Sequence, residues 1–437
     1  ESRKKMTQFE LNNYKVGIIG LGYVGLPLAI QLGKNFSTIG FDINLEKVKK
    51  LQNGESPIDD IEDGEIQKSQ VKFTNNSSNL ANCNIYIVAV PTPIDCFNNP
   101  LLNPLEKVSE IVGINLYQGN IVIYESTVYP GVTEEICVPI LEKFSKLKLN
   151  LDFGVGYSPE RINPSDKIHT INKITKIVSV SNQKFLNMIL KIYTSFIEEG
   201  IYVAPTIKVA EAAKILENTQ RDVNIALVNE FSILLHKLGI DTKEVLKAAK
   251  TKWNFLDFKP GFVGGHCIGV DPYYMIYKSH QVGFVPSVMI ASRNTNNEYT
   301  DYVVNQIIKK IIKMKLDFNT LRVGILGVTF KENCADTRNS KVIEMIQKLR
   351  EFGIEPNIYD PLVTKDEMLT NYNLEIEDEI LGELDVLILA VPHNNFCELK
   401  MIMQMFDKNK TPKVFFDLKC MYDKSDFSEY NIEYWRP

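Results

Sequence analysis

Two stretches of this 437-residue sequence place glycines beside residues that can do chemistry. The first, residues 20–25, reads GLGYVG and directly follows the apolar run 16–19. The second, residues 258–274, reads FKPGFVGGHCIGVDPYY and holds Cys267 shortly before Asp271. Glycine-rich loops can bring backbone N–H groups to a phosphate, and a thiolate can act as a nucleophile. The two stretches therefore predict a phosphate-bearing ligand and a candidate nucleophilic cysteine.

The pattern around the first stretch predicts a strand, a helix and a second strand, which together form a βαβ unit with the motif GxGxxG. In this motif Gly20 permits the tight turn, Gly22 lets the backbone approach a pyrophosphate, and Gly25 lets helix and strand pack closely. Asp42 follows the first glycine by roughly 20 residues, where an acid accepts hydrogen bonds from the adenosine ribose. Because an acid there repels a 2′-phosphate, the motif predicts NAD rather than NADP.

Three later apolar runs, at residues 84–90, 120–124 and 153–157, predict further strands of the same sheet. Each run ends at small polar residues near a proline. The C-terminal ends of strands in an open parallel sheet line the ligand crevice, so side chains there are site candidates. They are Thr92, Thr127 and Glu160, although any one of them alone could equally be a turn or capping residue.

From residue 206 onward the sequence becomes helical, with apolar residues at helical spacing and more than 25 residues without proline or glycine. This pattern predicts one long helix that joins two domains. Lys214 and Asn218 share one face of that helix, because residues four apart are neighbours on a helix. Without a partner site, however, a lysine on a helix usually faces solvent.

A weak internal repeat relates the two ends of the chain. RVGILGVTF at residues 322–330 resembles KVGIIGLGY at 15–23, and DVLILAVP at 385 resembles NIYIVAVP at 84. We therefore predict an α/β fold with two Rossmann-like, doubly wound parallel-sheet domains joined by the long helix and a helical segment. The second copy lacks GxGxxG and should not hold a dinucleotide in the same manner, but its first loop offers Lys331 and Arg338 to an anion.

These patterns divide the chain into four parts. We predict a flexible N-terminus or expression remnant at 1–13, an NAD-binding Rossmann domain at 14–204, a central helical domain with the cysteine loop at 205–314, and a second Rossmann-like domain at 315–437.

Composition and charge exclude several classes of protein. The formal net charge of −5 does not favour nucleic acid as a partner, although a local cationic pocket remains open. No apolar run is long enough to span a bilayer, and the polar N-terminal residues do not form a signal peptide. The seven cysteines show neither CxxC nor zinc spacing, so we expect free thiols in a reducing compartment and no metal site.

Cys267 differs from the other cysteines in its glycine-rich context. The alternative is an inert buried thiol, which is how most cysteines behave. A Cys–His pair with His266 is a weaker alternative, because side chains of sequence neighbours rarely point at each other. NAD together with a nucleophilic thiol suggests oxidation at the aldehyde level through a thioester.

The chain from Val16 to its C-terminus resembles the UDP-glucose/GDP-mannose dehydrogenase family. The matching motifs are GLGYVG, PTP at 91, ESTVYPG at 125, SPER at 158, AEAAKILENT at 210, GGHCIGVDPYY at 264 and FKENCADTRNS at 330. The resemblance implies an NAD-dependent enzyme that oxidises the C6 alcohol of a sugar nucleotide to a carboxylate in a four-electron reaction. It also implies that the C-terminal domain holds the UDP portion.

The resemblance further implies roles for the residues that match the family's motifs. The catalytic group is Cys267 as nucleophile, Lys214 and Asn218 as oxyanion donors, Asp271 as the acid that supports the lysine or acts as base, and Thr127 and Glu160 as residues that position water and the reacting C6. The cofactor-binding group is Gly20, Gly22, Tyr23, Val24, Gly25, Asp42, Lys47, Thr92, Thr127 and Arg338. The substrate-binding group is Glu160, Arg161, Lys214, Asn218, Phe258, Gly264, Tyr273, Arg293 and Lys331.

Two departures from the UDP-glucose enzymes indicate a branch of the family. Arg161-Ile162-Asn163-Pro164 follows Glu160, so the second glutamate of the PEFLxE motif has no counterpart, and GGHCIGVDPYY replaces GGxCxxKD. Both departures resemble the enzymes that oxidise UDP-N-acetylhexosamines, and the PYY ending resembles those that act on UDP-N-acetylglucosamine and UDP-N-acetylgalactosamine. These residues do not fix the epimer, so UDP-N-acetylmannosamine and UDP-glucose remain alternatives.

Two other classes of protein remain open. A two-electron hydroxyacid or 6-phosphogluconate-like dehydrogenase shares the Rossmann and helical domains but needs no thiol in a glycine loop. A non-catalytic NAD-binding regulatory module would not need the full residue set. The resemblance and the apolar-faced long helix also predict a homodimer, and the family suggests a cytoplasmic enzyme that supplies a surface polysaccharide such as O-antigen or capsule.

Overall fold

The computed structural model describes residues 14–58, 61–162, 170–379, 382–406 and 413–437. The predicted N-terminal segment 1–13 and the Asn163-Pro164 dipeptide lie outside these residues. The described chain forms two compact units. Unit 1 extends to Glu217 and includes Tyr273–Phe284, whereas unit 2 comprises Asn218–Pro272 and the residues from Val285 onward. The division into domains at 204/205 and 314/315 remains a prediction.

Unit 1 is built on one eight-stranded sheet. Its strands are β1 (Lys15–Ile19), β2 (Ser37–Phe41), β3 (Lys72–Thr74), β4 (Ile85–Val88), β5 (Ile121–Tyr124), β6 (Gly154–Tyr157), β7 (Lys176–Val180) and β8 (Ile201–Val203). The strand order β3-β2-β1-β4-β5-β6 is that of dinucleotide-binding Rossmann domains, and β7 and β8 extend it at one edge. β7 pairs antiparallel with β6, so this edge differs from the parallel sheet that the sequence predicts.

Helices cover the sheet of unit 1 and bury their apolar faces against it. They are α1 (Gly25–Gly33), α2 (Leu45–Gln52), α3 (Asp63–Lys68), α4 (Asn103–Ile114), α5 (Val138–Ser145) and α6 (Leu186–Thr194). A π-helix, Thr133–Cys137, leads into α5. The central strands β1, β4 and β5 are continuous apolar runs because both faces of a parallel sheet are covered. Apolar side chains of β1, β4 and β5 therefore share one core cluster with those of α1 and α6.

Four helices follow the first sheet: α7 (Ile207–Leu238), α8 (Thr242–Ala249), α9 (Asp271–Gln281) and α10 (Ser287–Lys313). α7 has 32 residues and confirms the predicted long helix. The boundary between the units falls within α7 and again within α9. None of the helices in the described ranges combines the length and the apolar character that a membrane crossing needs.

Unit 2 contains a second, five-stranded sheet in the order β10-β9-β11-β12-β13, in which every pair is parallel. The strands are β9 (Val323–Leu326), β10 (Asn357–Tyr359), β11 (Val386–Leu389), β12 (Lys413–Asp417) and β13 (Ile432–Trp435), and the helices are α11 (Lys341–Glu351), α12 (Lys365–Tyr372) and α13 (Leu399–Gln404). The chain therefore has the two Rossmann-like domains that the sequence predicts.

The internal repeat corresponds to equivalent turns after β1 and β9. Gly20 and Gly327 both have positive φ angles, of 94° and 83°. In both domains a carboxylate after the second strand accepts a hydrogen bond from the N–H that follows this glycine, over 3.0 Å to Asp42 and 2.7 Å to Asp360. Asp360 also lies 3.0 Å from Nε2 of the fully buried His393, which occupies the carboxylate that would otherwise face a ribose. This contact explains why the second copy should not hold a dinucleotide as the first does.

Candidate active site

The turn after β1 requires glycine at two positions for different reasons. Gly20 has a φ of 94°, and a Cβ there would lie 2.5 Å from the carbonyl oxygen of Ala89. A Cβ on Gly25 would lie only 1.8 Å from the carbonyl oxygen of Gly20. By contrast, a Cβ on Gly22 would meet nothing within 4 Å. The turn is thus closely packed around Gly20 and Gly25, whereas the space beside Gly22 is open, as the approach of a pyrophosphate requires.

The Asp42 carboxylate is fixed at the end of β2. Its Oδ2 accepts from the backbone N–H of Leu21 at 3.0 Å and from Lys47 Nζ at 3.1 Å, while Oδ1 accepts from Asn44 N–H at 2.9 Å. A carboxylate offers about four acceptor positions, so a ribose hydroxyl can still be accepted. Asp42 and Lys47, both predicted for the NAD site, are therefore brought together.

Tyr23 and Val24 complete the turn and precede α1. Val24 occupies the N-cap position, where its side chain makes no capping hydrogen bond. The N-terminus of a helix carries partial positive charge and N–H groups that favour a pyrophosphate. Because turn, helix and acid all fit NAD, these residues would hold it, and bound NAD would supply the hydride acceptor.

The ends of β4 and β5 lie side by side through two hydrogen bonds between their loops. Thr92 Oγ1 donates to the carbonyl oxygen of Thr127 at 2.7 Å, and Ser126 Oγ accepts from the N–H of Val90 at 3.0 Å. The Tyr274 hydroxyl donates to the carbonyl oxygen of Thr92. The structure therefore brings the predicted site residues Thr92 and Thr127 together at the C-terminal edge of the sheet.

Glu160 follows β6 and is held by three hydrogen bonds. Its Oε1 accepts from the N–H groups of Arg161 and Ile162, both at 2.7 Å, and its Oε2 accepts from Lys176 Nζ at 3.0 Å. Lys176 also donates to Glu125 Oε2 at 3.1 Å. Sequence reasoning missed both Lys176 and Glu125, although a lysine within the apolar run KIVSV was a signal.

Burial and charge set the ionisation of this cluster. Burial raises the pKa of Glu125, and the Lys176 ammonium only partly offsets that effect. Burial also acts to raise the pKa of Glu160, but the Lys176 charge and the hydrogen bonds to the carboxylate outweigh it and lower the pKa. The two carboxylates in turn overcome burial and raise the pKa of Lys176. Glu160 is therefore a carboxylate and Lys176 an ammonium at neutral pH.

Arg161 is turned toward the long helix. Its Nη2 lies 2.8 Å from Glu217 Oε1, its Nε donates to Oε2 at 3.1 Å, and its Nη1 donates to the carbonyl oxygen of Thr175 at 2.9 Å. The bidentate pair with Glu217 fixes the guanidinium. Arg161 thus anchors the turn after Glu160 to α7.

Asn218 and Asp271 form a hydrogen-bonded pair within unit 2. Asn218 Nδ2 donates to Asp271 Oδ2 at 2.5 Å. Lys214 lies one turn before Asn218 on α7 and is half-buried. Asp271 is buried at the start of α9. The structure therefore brings together two of the predicted catalytic residues, one of them on the helix that also carries Lys214.

Cys267 lies half-buried in the glycine loop that leads into α9. Its carbonyl oxygen accepts the N–H groups of Val270 and Asp271 at 3.0 and 2.8 Å. The preceding Gly265 has a φ of 76°, and a Cβ on Gly264 would lie 2.7 Å from the carbonyl oxygen of Asn339. The glycines therefore serve the close packing of the loop, and Gly264 in particular packs on the backbone beside Arg338.

His266 is directed toward Asp336, which weakens the Cys–His alternative. His266 Nδ1 lies 3.6 Å from Asp336 Oδ2, and the same carboxylate is bound by the Nε and Nη2 of Arg338 at 2.9 and 2.5 Å. Despite burial, these partners lower the pKa of Asp336. Arg338, predicted to reach NAD from the other domain, is thus held by its own loop, with half of its side chain exposed.

Arg293 is buried, in contrast to its predicted contact with phosphates. Its side chain is 3% exposed, and its Nη1 lies 2.6 Å from Asp222 Oδ1, while Nη2 donates to Asn297 at 2.7 Å. A guanidinium neutralised inside the protein is a poor phosphate ligand. This placement favours a structural role for Arg293 and does not support the predicted one.

A buried amide network connects this ion pair with the cysteine loop, and sequence reasoning missed it. Asn296 Nδ2 donates to Asp222 Oδ1 at 2.7 Å and its Oδ1 accepts from Asn229 at 2.9 Å. Asn229 in turn accepts from the N–H of Gly261 at 2.8 Å and donates to its carbonyl oxygen at 3.1 Å. Asn229 thus clamps both backbone groups of Gly261, which begins the loop.

The remaining predicted residues lie on separate elements. Lys331 is half-buried in the loop after β9, where its carbonyl oxygen accepts from Thr329 at 2.9 Å. Phe258 is half-buried before the cysteine loop, and Tyr273 is half-buried on the part of α9 that belongs to unit 1. Within the described ranges, no group of three or more His, Cys, Asp or Glu side chains is placed to hold a metal ion.

A Rossmann domain that fits NAD, together with a thiol in a separate glycine loop, defines an NAD-dependent dehydrogenase with a candidate cysteine nucleophile. Three family models match the chain: UDP-glucose/GDP-mannose dehydrogenase family, NAD binding domain (residues 14–197), central domain (208–298) and UDP binding domain (324–424). The chain therefore belongs to the UDP-glucose/GDP-mannose dehydrogenase family. It is an NAD-dependent nucleotide-sugar dehydrogenase, which confirms the predicted family, cofactor and enzyme class.

Full-length relatives support the same assignment. The chain is 46% identical to Protein CapL of Staphylococcus aureus over 97% of this chain and 100% of that protein. It is also 46% identical to the UDP-N-acetyl-D-glucosamine 6-dehydrogenase of Pseudomonas aeruginosa, over 95% and 99% of the two chains. The solved structure of UDP-D-ManNAc dehydrogenase from Pyrococcus horikoshii superposes with a TM-score of 0.85 at 27% identity and covers 96% of this chain and 98% of that one.

Proposed function

We propose that this protein oxidises the C6 alcohol of a UDP-N-acetylhexosamine, either UDP-N-acetylglucosamine or UDP-N-acetylgalactosamine, to the carboxylate. The Asn218–Asp271 pair and the Cys267 loop, in a chain that also fits NAD, carry this proposal. The relatives named UDP-N-acetyl-D-glucosamine 6-dehydrogenase favour the N-acetylhexosamine substrates. UDP-N-acetylmannosamine and UDP-glucose are the alternative substrates.

The proposed chemistry has two oxidation steps separated by covalent attachment. In the first, a base takes the proton of the C6 hydroxyl while C6 loses a hydride and becomes an aldehyde. The Cys267 sulfur then attacks the aldehyde carbon and forms a thiohemiacetal, which loses a second hydride to become a thioester. Water cleaves the thioester, so the product is a carboxylate and the thiol returns.

Asn218 and Lys214 suit the stabilisation of the C6 oxygen where it gains negative charge, which is when the alcohol loses its proton and when the thiolate or water adds to the carbonyl carbon. An amide has two N–H bonds, so Asn218 can donate to Asp271 and to that oxygen at the same time. A preorganised donor of this kind typically contributes about 3–4 kcal/mol to transition-state stability.

The UDP portion is proposed to bind the C-terminal Rossmann-like domain. The match of residues 324–424 to the family's UDP binding domain supports this placement. In the loop after β9, the backbone turn is held by Asp360 and the side chain of Lys331 supplies positive charge. A diphosphate is the anion that such a loop would receive.

A second copy of this chain is the proposed partner of the apolar face of α7. Four side chains on that face are about half exposed: Leu227, Phe231, Leu234 and Leu238. Exposed apolar stripes of this kind mark interaction surfaces. We propose a homodimer in the cytoplasm that supplies a surface polysaccharide, and a monomer by light scattering at micromolar concentration would contradict the dimer.

A panel of UDP-sugars with NAD tests the proposed function. We expect NADH to form fastest with UDP-N-acetylglucosamine or UDP-N-acetylgalactosamine, and we expect the Cys267→Ala variant to form no uronate. A preference for UDP-glucose would assign the alternative substrate. Turnover of a hydroxyacid alone would assign a two-electron dehydrogenase, and NAD binding without turnover of any sugar would assign a regulatory module.

A further inference from the structure

The Lys176 ammonium bridges two buried carboxylates in unit 1. Its Nζ lies 3.1 Å from Glu125 Oε2 and 3.0 Å from Glu160 Oε2, and the lysine side chain is 5% exposed. The three residues come from different elements, since Glu125 follows β5, Glu160 follows β6 and Lys176 begins β7. An unpaired buried charge costs free energy of folding, so the two ion pairs stabilise the ammonium of Lys176 inside the protein.

We propose that Lys176 is a positioning residue for the dehydrogenase reaction, which keeps Glu160 ionised and fixes its Oε2 at the ends of the strands. The inference rests on the proposed function, in which Glu160 positions water and the reacting C6. The three hydrogen bonds that the described residues make to Glu160 leave one of about four acceptor positions, which a water molecule or substrate hydroxyl could use.

The charges around Glu160 show why the ammonium matters. Glu160 is faced by Glu125 from the end of β5, by the Tyr193 hydroxyl from α6 and by Lys176 from β7. The Tyr193 hydroxyl donates a hydrogen bond to Glu125. On its own turn, the Arg161 guanidinium is engaged by Glu217. If Lys176 were neutral, two buried carboxylates would lie close together without a cation, and both could not remain ionised.

The Lys176→Met variant separates positioning from a merely structural role through the dependence on pH. In the native protein, the lowered pKa of Glu160 stabilises the fold above the ordinary carboxyl pKa, and this contribution is lost as the pH falls. Without Lys176 the pKa of Glu160 rises, and the protonated carboxyl group then stabilises the fold. This stabilisation is lost as the pH rises. Activity, however, requires the ionised carboxylate and should increase with pH.

We therefore expect opposite trends in Lys176→Met between pH 6 and 9. As the pH rises across this range, the melting temperature should fall more steeply than that of the native protein, and kcat with the best UDP-sugar should rise at least tenfold. The native enzyme should show no such loss of activity at the acid end of the range. If activity instead follows the melting temperature, or if the pH profile matches that of the native enzyme, the inference is wrong. Native turnover of a UDP-sugar tests the proposed function separately, so the two failures are distinguishable.

Two further variants keep the test decisive if Lys176→Met does not fold. Lys176→Arg retains the cation and should keep the native pH profile. Lys176→Met/Glu125→Gln removes one carboxylate together with the ammonium, so this variant should fold. Its kcat should still fall at low pH, but less than that of Lys176→Met. Glu125→Gln alone is the matched control, because it keeps the Lys176–Glu160 pair. A fall of kcat at low pH in Lys176→Arg, or none in the double variant, would overturn the inference.

Discussion

The Asn218 amide donates a hydrogen bond to the Asp271 carboxylate over 2.5 Å. Asn218 lies on the long helix α7, whereas Asp271 follows the cysteine loop and begins α9. Because the carbonyl oxygen of Cys267 accepts the N–H of Asp271, the same carboxylate residue connects helix and thiol loop. Within unit 2 the candidate oxyanion donor and the candidate nucleophile are thus held in one structural framework.

Replacing Asn218 by alanine should remove that donor. We expect kcat to fall about 10²–10³-fold with a small change in the KM for the UDP-sugar, because an oxyanion donor acts mainly in the transition state. Steady-state kinetics check this result, and Asn224→Ala on the same helix is the control, since Asn224 donates to the carbonyl oxygen of Gln220. A rise in KM with unchanged kcat would assign Asn218 to substrate binding alone.

Replacing Arg293 by methionine should destabilise the fold without a specific effect on substrate affinity. The variant leaves Asp222 buried without its cation, and breaking a buried ion pair typically costs about 3–5 kcal/mol. Urea unfolding measures this loss, with the exposed Arg221→Met as control. Native stability together with a large increase in KM would instead support the phosphate contact that the sequence predicts.

Replacing Asn229 by alanine should loosen the start of the cysteine loop. The backbone N–H and carbonyl of Gly261 would lose their buried partners, at a cost of about 1–3 kcal/mol. We expect iodoacetamide to alkylate Cys267 several-fold faster, as followed by mass spectrometry of the peptide that contains it. Asn224→Ala on the same helix leaves the Asn229 clamp intact and should give the native rate of alkylation. Equal alkylation in all three proteins would show that the clamp does not hold the loop.

Glu211 should make the stability of the protein depend on pH near neutrality. Burial raises the pKa of this carboxyl group to about 7, although it accepts the N–H groups of Gly131 and Thr133 at 2.6 and 3.0 Å. An acid with a raised folded-state pKa stabilises the fold while it is protonated. This contribution is therefore lost as the pH rises from the ordinary pKa of a glutamate carboxyl group to about 7.

The Glu211→Gln variant should therefore have a flatter profile of unfolding free energy between pH 5 and 8. The difference from the native protein across this range should be on the order of 2–3 kcal/mol, at 1.4 kcal/mol per unit of pKa shift. Urea unfolding at several pH values measures it, with the exposed Glu110→Gln as control. Parallel profiles for the native and Glu211→Gln proteins would contradict the shift.

Local patterns predict the NAD site because its parts lie close together in the sequence. The turn at Gly20 and the acid at Asp42 belong to one βαβ unit, and glycine at a positive φ follows from backbone sterics alone. The same reasoning finds Cys267 and Asp271, which share one loop. Family motifs, rather than spacing, were needed to relate these residues to Asn218.

Long-range pairs could not be predicted in this way. Arg293 and Asp222 are separated by 71 positions, so neither neighbourhood shows that the arginine is neutralised within the core. Lys176 and Glu125 are separated by 51 positions and meet only because the chain inserts β7 next to β6 in the antiparallel direction. A charged residue in an apolar strand is a signal of such a partner, but the sequence alone does not name it.

The amount of NADH formed per molecule of UDP-N-acetylglucosamine, or of its C4 epimer, tests the central claim most directly. With the sugar nucleotide limiting and NAD in excess, the Cys267 mechanism predicts two NADH and one UDP-N-acetylhexosaminuronate for each substrate molecule consumed. One NADH for each substrate molecule, with release of a free aldehyde, would contradict it.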